Sequence, residues 1–119
     1  MGSNPAIPTT FARAPGQERS TLDLGDFQAR IRATYGDRDR DRGVDATFGW
    51  FVEEVGELSR AIRRQGHAER VEEFSDVLAW LTTLADLTGV DLAEAAARYE
   101  AGCPSCSASP CICGQPASS

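Results

Sequence analysis

Three observations predict an all-α fold, a bundle of about four helices. Apolar residues recur every three to four positions through the middle of the chain, no segment alternates with the period of a strand, and glycines stand where the periodic runs stop. The first helix is expected over about residues 24–35, where Leu24, Phe27, Ile31 and Tyr35 share a face and Gly36 ends the run. A second covers about residues 46–64, turns Phe48, Phe51, Val55, Leu58 and Ile62 inward, and stops at Gly66. The third covers about residues 69–88, with Phe74, Val77, Leu78, Leu81, Leu84 and Ala85 inward and Gly89 as its C-terminal stop. Asp91 and Glu94 give the D-x-x-E pattern of a capping box at the start of a short fourth helix through Tyr99.

At 119 residues the chain holds one domain with flanks. Residues 1–22 carry Pro5, Pro8, Pro15 and Gly16 without apolar periodicity and are expected to be a disordered tail. The helical domain is then 23–101, a cysteine-rich element 102–114, and a second tail 115–119. Neither a signal peptide nor an apolar run of the roughly 20 residues needed to span a bilayer is present, so the expected location is the cytoplasm, off the membrane. The formal net charge is −6 and all 12 basic residues are arginine. An acidic chain without a basic stripe is a poor partner for nucleic acid, and the absence of lysine rules out Schiff-base chemistry. Any phosphate clamp must use guanidinium groups.

The chemistry is concentrated on the second and third helices. Glu53, Glu54 and Glu57 read E-E-x-x-E; after the 15 residues 58–72, Glu73 and Asp76 read E-x-x-D. Positions three apart share a helix face, so two such helices packed antiparallel converge four carboxylates. Oxygen ligands of this kind suit a hard divalent cation, and magnesium is expected. A solvated acidic face is the alternative, but Glu53/Glu57, Glu69/Glu73 and Glu72/Asp76 are like-charge pairs at i,i+4, each costing roughly 0.2–0.5 kcal/mol, and no basic residue is placed to neutralise the cluster. A di-iron carboxylate bundle needs Glu-x-x-His on two helices; His67 is the only histidine, no glutamate precedes it by three, and it reads as an exposed loop residue.

Trp50 lies four positions before Glu54 and Trp80 four after Asp76, so both fall beside the acidic stripe, and a partner subunit or a stacked base is expected to cover that face. Only about 80 residues supply the core, a size at which oligomerisation is a common remedy. The string Asp37 to Arg42 alternates sign and reads as a self-neutralising loop, from which one or two of Arg38, Arg40 and Arg42 could reach substrate phosphates. All four cysteines fall within eleven residues, as Cys103-Pro-Ser-Cys106 and Cys111-Ile-Cys113. Three readings stand for them: a closed structural zinc site, redox or disulfide pairs, and incidental thiols, of which crowding in an intracellular chain favours zinc.

The stretch from Phe48 to Leu58, with Glu73-Phe-Ser-Asp-Val-Leu-Ala-Trp80 after it, resembles the MazG-like nucleotide pyrophosphohydrolases, whose signature is E-E-x-x-E, a spacer, then E-x-x-D. The resemblance spans about residues 26–99, and the cysteine tail is similar to that of a subgroup ending in C-P-x-C…P-C-x-C. It implies an all-α bundle completed by dimerisation or tetramerisation, with the active site near a subunit interface. It also implies hydrolysis of a nucleoside triphosphate to the monophosphate and pyrophosphate, with nucleotide-pool house-cleaning as one role. On this sequence Glu54, Glu57, Glu73 and Asp76 would hold Mg²⁺, with Mn²⁺ as a substitute, and Glu53 would assist a second ion or activate water. Asp86, and Arg98 with Tyr99, stand where members often carry Asn, and Lys or Asn, for sugar and phosphate; Trp50, Trp80, Arg42 and Arg98 are the substrate-binding candidates. The alternatives are a non-catalytic nucleotide-binding or protein-interaction module with a zinc-stapled tail, and a thiol switch on the C-x-x-C pair.

Overall fold

The computed structural model describes residues 22–115, which form four helices and, among the described residues, no strand. The expected tails lie outside the described residues, apart from Leu22 and Gln115. The helices are α1 (Leu24–Arg42), α2 (Val44–Arg64), α3 (His67–Leu87) and α4 (Leu92–Ala97).

α1 begins at a capping box: the Asp26 amide donates to Asp23 Oδ1 at 2.8 Å, and the Asp23 amide returns the bond to the Asp26 carboxylate. It does not stop at Gly36. It runs on through the alternating acidic and basic string, which is helical rather than a loop. Alternation of sign puts opposite charges three apart, on one helix face, and Asp37 pairs with Arg40 while Asp39 pairs with Arg42 at 2.9 Å. Those pairs offset the roughly 1 kcal/mol that an interior glycine costs. The helix ends at Gly43, where φ is +83°, and α2 starts with the next residue. A residue with a Cβ is strained in that conformation, so a glycine makes the sharp junction.

α2 and α3 are joined by Gln65 and Gly66 and pack as an antiparallel hairpin, the most extensive helix pair in the molecule. α3 starts at His67, which is exposed but belongs to the helix, and ends before Gly89, whose φ is +75°. α1 packs on α3, fastened at two levels. At one, the buried Asp39 accepts Thr83 Oγ1 at 3.0 Å; at the other, the buried Gln28 donates to Asp86 Oδ1 at 2.9 Å and to the Val90 carbonyl at 2.8 Å. Gln28 Oε1 also accepts the Leu92 amide at 2.8 Å, which seats α4 against α1. Asp91 caps α4 through the Ala93 amide; Glu94 supplies no return bond, and the helix ends at Ala97, short of Tyr99.

The apolar stripes do not all face inward. Phe48 and Phe74 are each 55% exposed and Ile62 is 51% exposed, with Val55, Leu78, Leu81, Leu24 and Tyr35 exposed as well. Among the described residues the buried apolar side chains are Ile31, Ala61 and Ala85; the other buried ones are Gln28, Asp39, Thr47, Thr82 and Thr83. The physical reason is geometric. A helical hairpin has two broad faces, and α1 covers only one within this chain.

Candidate active site

The acidic residues meet across the α2–α3 hairpin. Carboxylate oxygens of Glu54, Glu73 and Asp76 lie within 4.8 Å of one another. Glu54 comes from α2, and Glu73 and Asp76 come from neighbouring turns of one α3 face, as their spacing requires. Glu57, one turn after Glu54, stands outside that group and lies 3.7 Å from Arg60. Arg60 corrects one expectation, that no basic residue is placed to neutralise the cluster. Glu53 is exposed on the flank.

Burial and crowding push two of the carboxyl groups, those of Glu54 and Glu73, toward their neutral forms. Glu54 titrates above its ordinary value, first because burial strips water from it and then because Asp76, Glu73, Glu57 and Glu53 are all negative. Glu73 is raised for the same reasons, with Asp76 its strongest neighbour and Arg60 a partial counterweight. Glu73 Oε2 is buried without a hydrogen-bond partner. A buried oxygen of that kind carries a desolvation cost that a cation relieves.

Beside the cluster opens a cavity of about 240 Å³, lined by Tyr35, Arg38, Asp39, Arg42, Asp76, Ala79, Trp80 and Thr83. One wall is thus an acidic-cluster residue and another is basic. The two tryptophans stack on each other, their ring centroids 6.2 Å apart and their planes 16° apart, so part of the cover over the acidic stripe comes from within the chain. The Arg42 guanidinium lies 4.8 Å over the Trp80 ring. Arg98 is not at the cavity; it sits 6.0 Å over the ring of Tyr99, beyond α4, which packs on α1. Asp86 faces Gln28 and Arg32, the latter at 2.8 Å, and its Oδ2 is buried without a partner.

A family model, the MazG nucleotide pyrophosphohydrolase domain, matches residues 42–101, half of the chain and the whole of the acidic hairpin. The chain belongs to the MazG family. MazG proteins are in general nucleotide pyrophosphohydrolases and typically use divalent metals, and a nucleotide substrate follows from membership. A comparison with curated proteins finds no match. Most of α1 and the cysteine element lie outside the MazG match.

Sequence reasoning missed Asp39, Thr83, Thr47 and Tyr35. Asp39 is one of three carboxylates in a repeating string, and only the packing of α1 on α3 singles it out.

Beyond α4, the sulfurs of Cys103, Cys106, Cys111 and Cys113 also lie within 4.8 Å of one another, and the four are free thiols. Cys103 Sγ is 3.6 Å from Cys113 Sγ, and Cys106 Sγ is 3.9 Å from Cys111 Sγ. These are not bonded pairs, in which sulfurs stand about 2.05 Å apart. They match the edge of about 3.8 Å in a tetrahedron with metal–sulfur bonds of about 2.3 Å. Backbone N–H groups point into the cluster, from Ile112 to Cys106 Sγ at 3.5 Å and from Cys113 to Cys111 Sγ at 3.4 Å. The Cys106 and Ser105 amides bring Cys103 down to about 6, and the Ile112 amide lowers Cys106. Cys113, facing the Cys111 thiol first and then those of Cys103 and Cys106, is pushed up to about 11. The cluster can hold a metal. No helix among the described residues is long and apolar enough to cross a membrane.

Proposed function

We propose that this MazG protein hydrolyses a nucleoside or deoxynucleoside triphosphate with water to the nucleoside monophosphate and pyrophosphate, in a magnesium-dependent reaction. The observation that carries this reading is the convergence of Glu54, Glu73 and Asp76 beside a cavity that also presents Arg38 and Arg42. Glu54, Glu57, Glu73 and Asp76 would hold Mg²⁺, or Mn²⁺ in its place, and the unpartnered Glu73 Oε2 and the mutual repulsion of the group fit that assignment. When bound there, the ion would supply positive charge that screens the phosphates and would favour deprotonation of the attacking water. Glu53, exposed at the edge of the cluster, accepts the proton of the attacking water or assists a second ion. Arg42 and Arg38 hold the phosphates, and the stacked Trp50 and Trp80 offer an aromatic face to the base.

The four-cysteine element, residues 102–114, reads as a closed structural zinc site; four thiolates leave no open position for substrate, so zinc there staples the segment to the helical domain 23–101. The exposed apolar residues of α2 and α3 favour a homodimer or homotetramer. A substrate drawn from the nucleotide pool places the reaction in the cytoplasm, with removal of aberrant or surplus nucleotides as its role. The test is incubation with Mg²⁺ and a panel of ribo-, deoxy- and modified triphosphates, with chromatography of the products. Monophosphate release ranked by base identifies the substrate; binding without turnover of any member would favour a non-catalytic nucleotide-binding module.

A further inference from the structure

We infer that Asp39 is a positioning residue that, with Thr83, holds Arg42 as the phosphate-recognising arm of the cavity; this rests on the triphosphate reading above. The Asp39 side chain is 6% exposed, and a carboxylate so buried persists only where its charge and both oxygens are satisfied. Arg42 Nη1 donates to Oδ1 at 2.9 Å and Thr83 Oγ1 donates to Oδ2 at 3.0 Å, so the carboxylate is fixed between its own helix and α3. Nη1 also reaches the buried Thr47 Oγ1 at 3.4 Å.

Among the described residues, all the side-chain hydrogen bonds of Arg42 are thus made through Nη1. Its Nη2 and Nε have no partner among the described residues, yet the side chain is held at one end by Asp39, lies 4.8 Å over the Trp80 ring, and lines the cavity. An arginine serving only to neutralise Asp39 needs no such presentation of its remaining donors. A guanidinium held by one nitrogen, with its other nitrogens unpartnered on a side chain that lines a cavity, suits bidentate recognition of a phosphate. Arg38, one turn earlier on the same helix face, lines the same cavity with no ion pair of its own among the described residues. Two cations at i,i+4 repel unless an anion lies between them. Asp76, from the acidic cluster, forms part of the cavity wall, so a polyphosphate there would meet the cation-binding carboxylates and the arginines together. The ligand class is a polyphosphate, whatever its base. Asp39 lies outside the segment matched by the family model, so membership does not assign it this role.

Trp80 lines the cavity beneath Arg42 and Trp50 stacks on it; these are the chain's two tryptophans, so tryptophan fluorescence reports on this part of the molecule. The test is titration of the full chain, in Mg²⁺, with inorganic tripolyphosphate, which has no base to contribute. The wild type is expected to give a saturable change. Asp39→Asn, which keeps the shape but loses the charge, is expected to weaken binding about 10-fold, Arg42→Lys similarly, and the double variant little further, because both act through one arm. In turnover, Asp39→Asn is expected to raise KM about 10-fold with kcat within about 3-fold, a split that a merely structural ion pair would not produce. Binding by Asp39→Asn within about 2-fold of the wild type, or no saturable signal from the wild type, overturns the inference. If Asp39→Asn does not fold, Arg42→Lys decides: undiminished binding by that variant overturns it. Asp39-dependent tripolyphosphate binding without hydrolysis of any triphosphate would defeat the proposed reaction and leave the inference standing; hydrolysis indifferent to Asp39 would do the reverse.

Discussion

Glu54 and Glu73 tie the site's chemistry to its stability. Both titrate above the ordinary carboxylate value of 4.5, so the folded chain holds their protons more tightly than the unfolded chain does. Their contribution to stability is therefore most favourable below about 4.5 and is lost as pH rises from there through their raised values. A divalent cation binds the ionised forms and reverses the penalty, so its stabilising effect grows over the same window. Thermal unfolding with and without Mg²⁺ is expected to show a larger rise in midpoint at pH 8 than at pH 5; an equal rise at both would contradict the cluster's role in holding the ion. Glu73→Gln removes a ligand and a repulsion at once. It is expected to lower Mg²⁺-dependent kcat/KM by about 100-fold or more while raising the unfolding midpoint in metal-free buffer, a trade-off common at functional sites. Kinetics beside a melting curve would check both arms.

Among the elements, the cysteine knuckle makes the sharpest structural demand. Gly102 has φ +114°, and a Cβ there would stand 2.6 Å from the Ala108 carbonyl oxygen, which itself accepts the Cys103 amide at 2.9 Å. If the cluster is the proposed zinc site, elemental analysis is expected to find one zinc ion per chain in the wild type and its loss in Gly102→Ala; full zinc content in the variant would contradict the geometry. The meeting of Glu54 with Glu73 and Asp76 was legible in the sequence because E-x-x-D on one helix puts both carboxylates on a single face, whereas Glu57, expected beside them, stands outside the group. The extent of α1 was not legible. Gly36 reads as a stop in isolation, and the charged string after it reads as a loop; what carries the helix through both is pairing at i,i+3 and the bond from Thr83 to Asp39, a contact 44 positions away. Arg98 was singled out by the resemblance alone; in the fold it follows α4, which packs on α1, and it does not line the cavity.

For the whole molecule, periodicity identified the apolar stripes without saying what covers them. Phe48, Val52, Val55 and Ile62 on α2, with Val71, Phe74, Leu78 and Leu81 on α3, are exposed in the single chain. A second copy would have to bury about 1,200–2,000 Å² in all to form a stable interface. Light scattering at micromolar concentration is expected to give a dimer or tetramer, and Phe74→Asp is expected to shift the mass toward the monomer. A monomeric wild type would leave that face to some other partner. If the acidic hairpin and its arginine-lined cavity cleave a triphosphate to release pyrophosphate, phosphorus NMR of the reaction mixture, with Mg²⁺ and then with the metal chelated, will show it. Resonances of pyrophosphate and nucleoside monophosphate that grow together, and only with the metal, are the result expected; diphosphate with orthophosphate, or turnover indifferent to the metal, would contradict it.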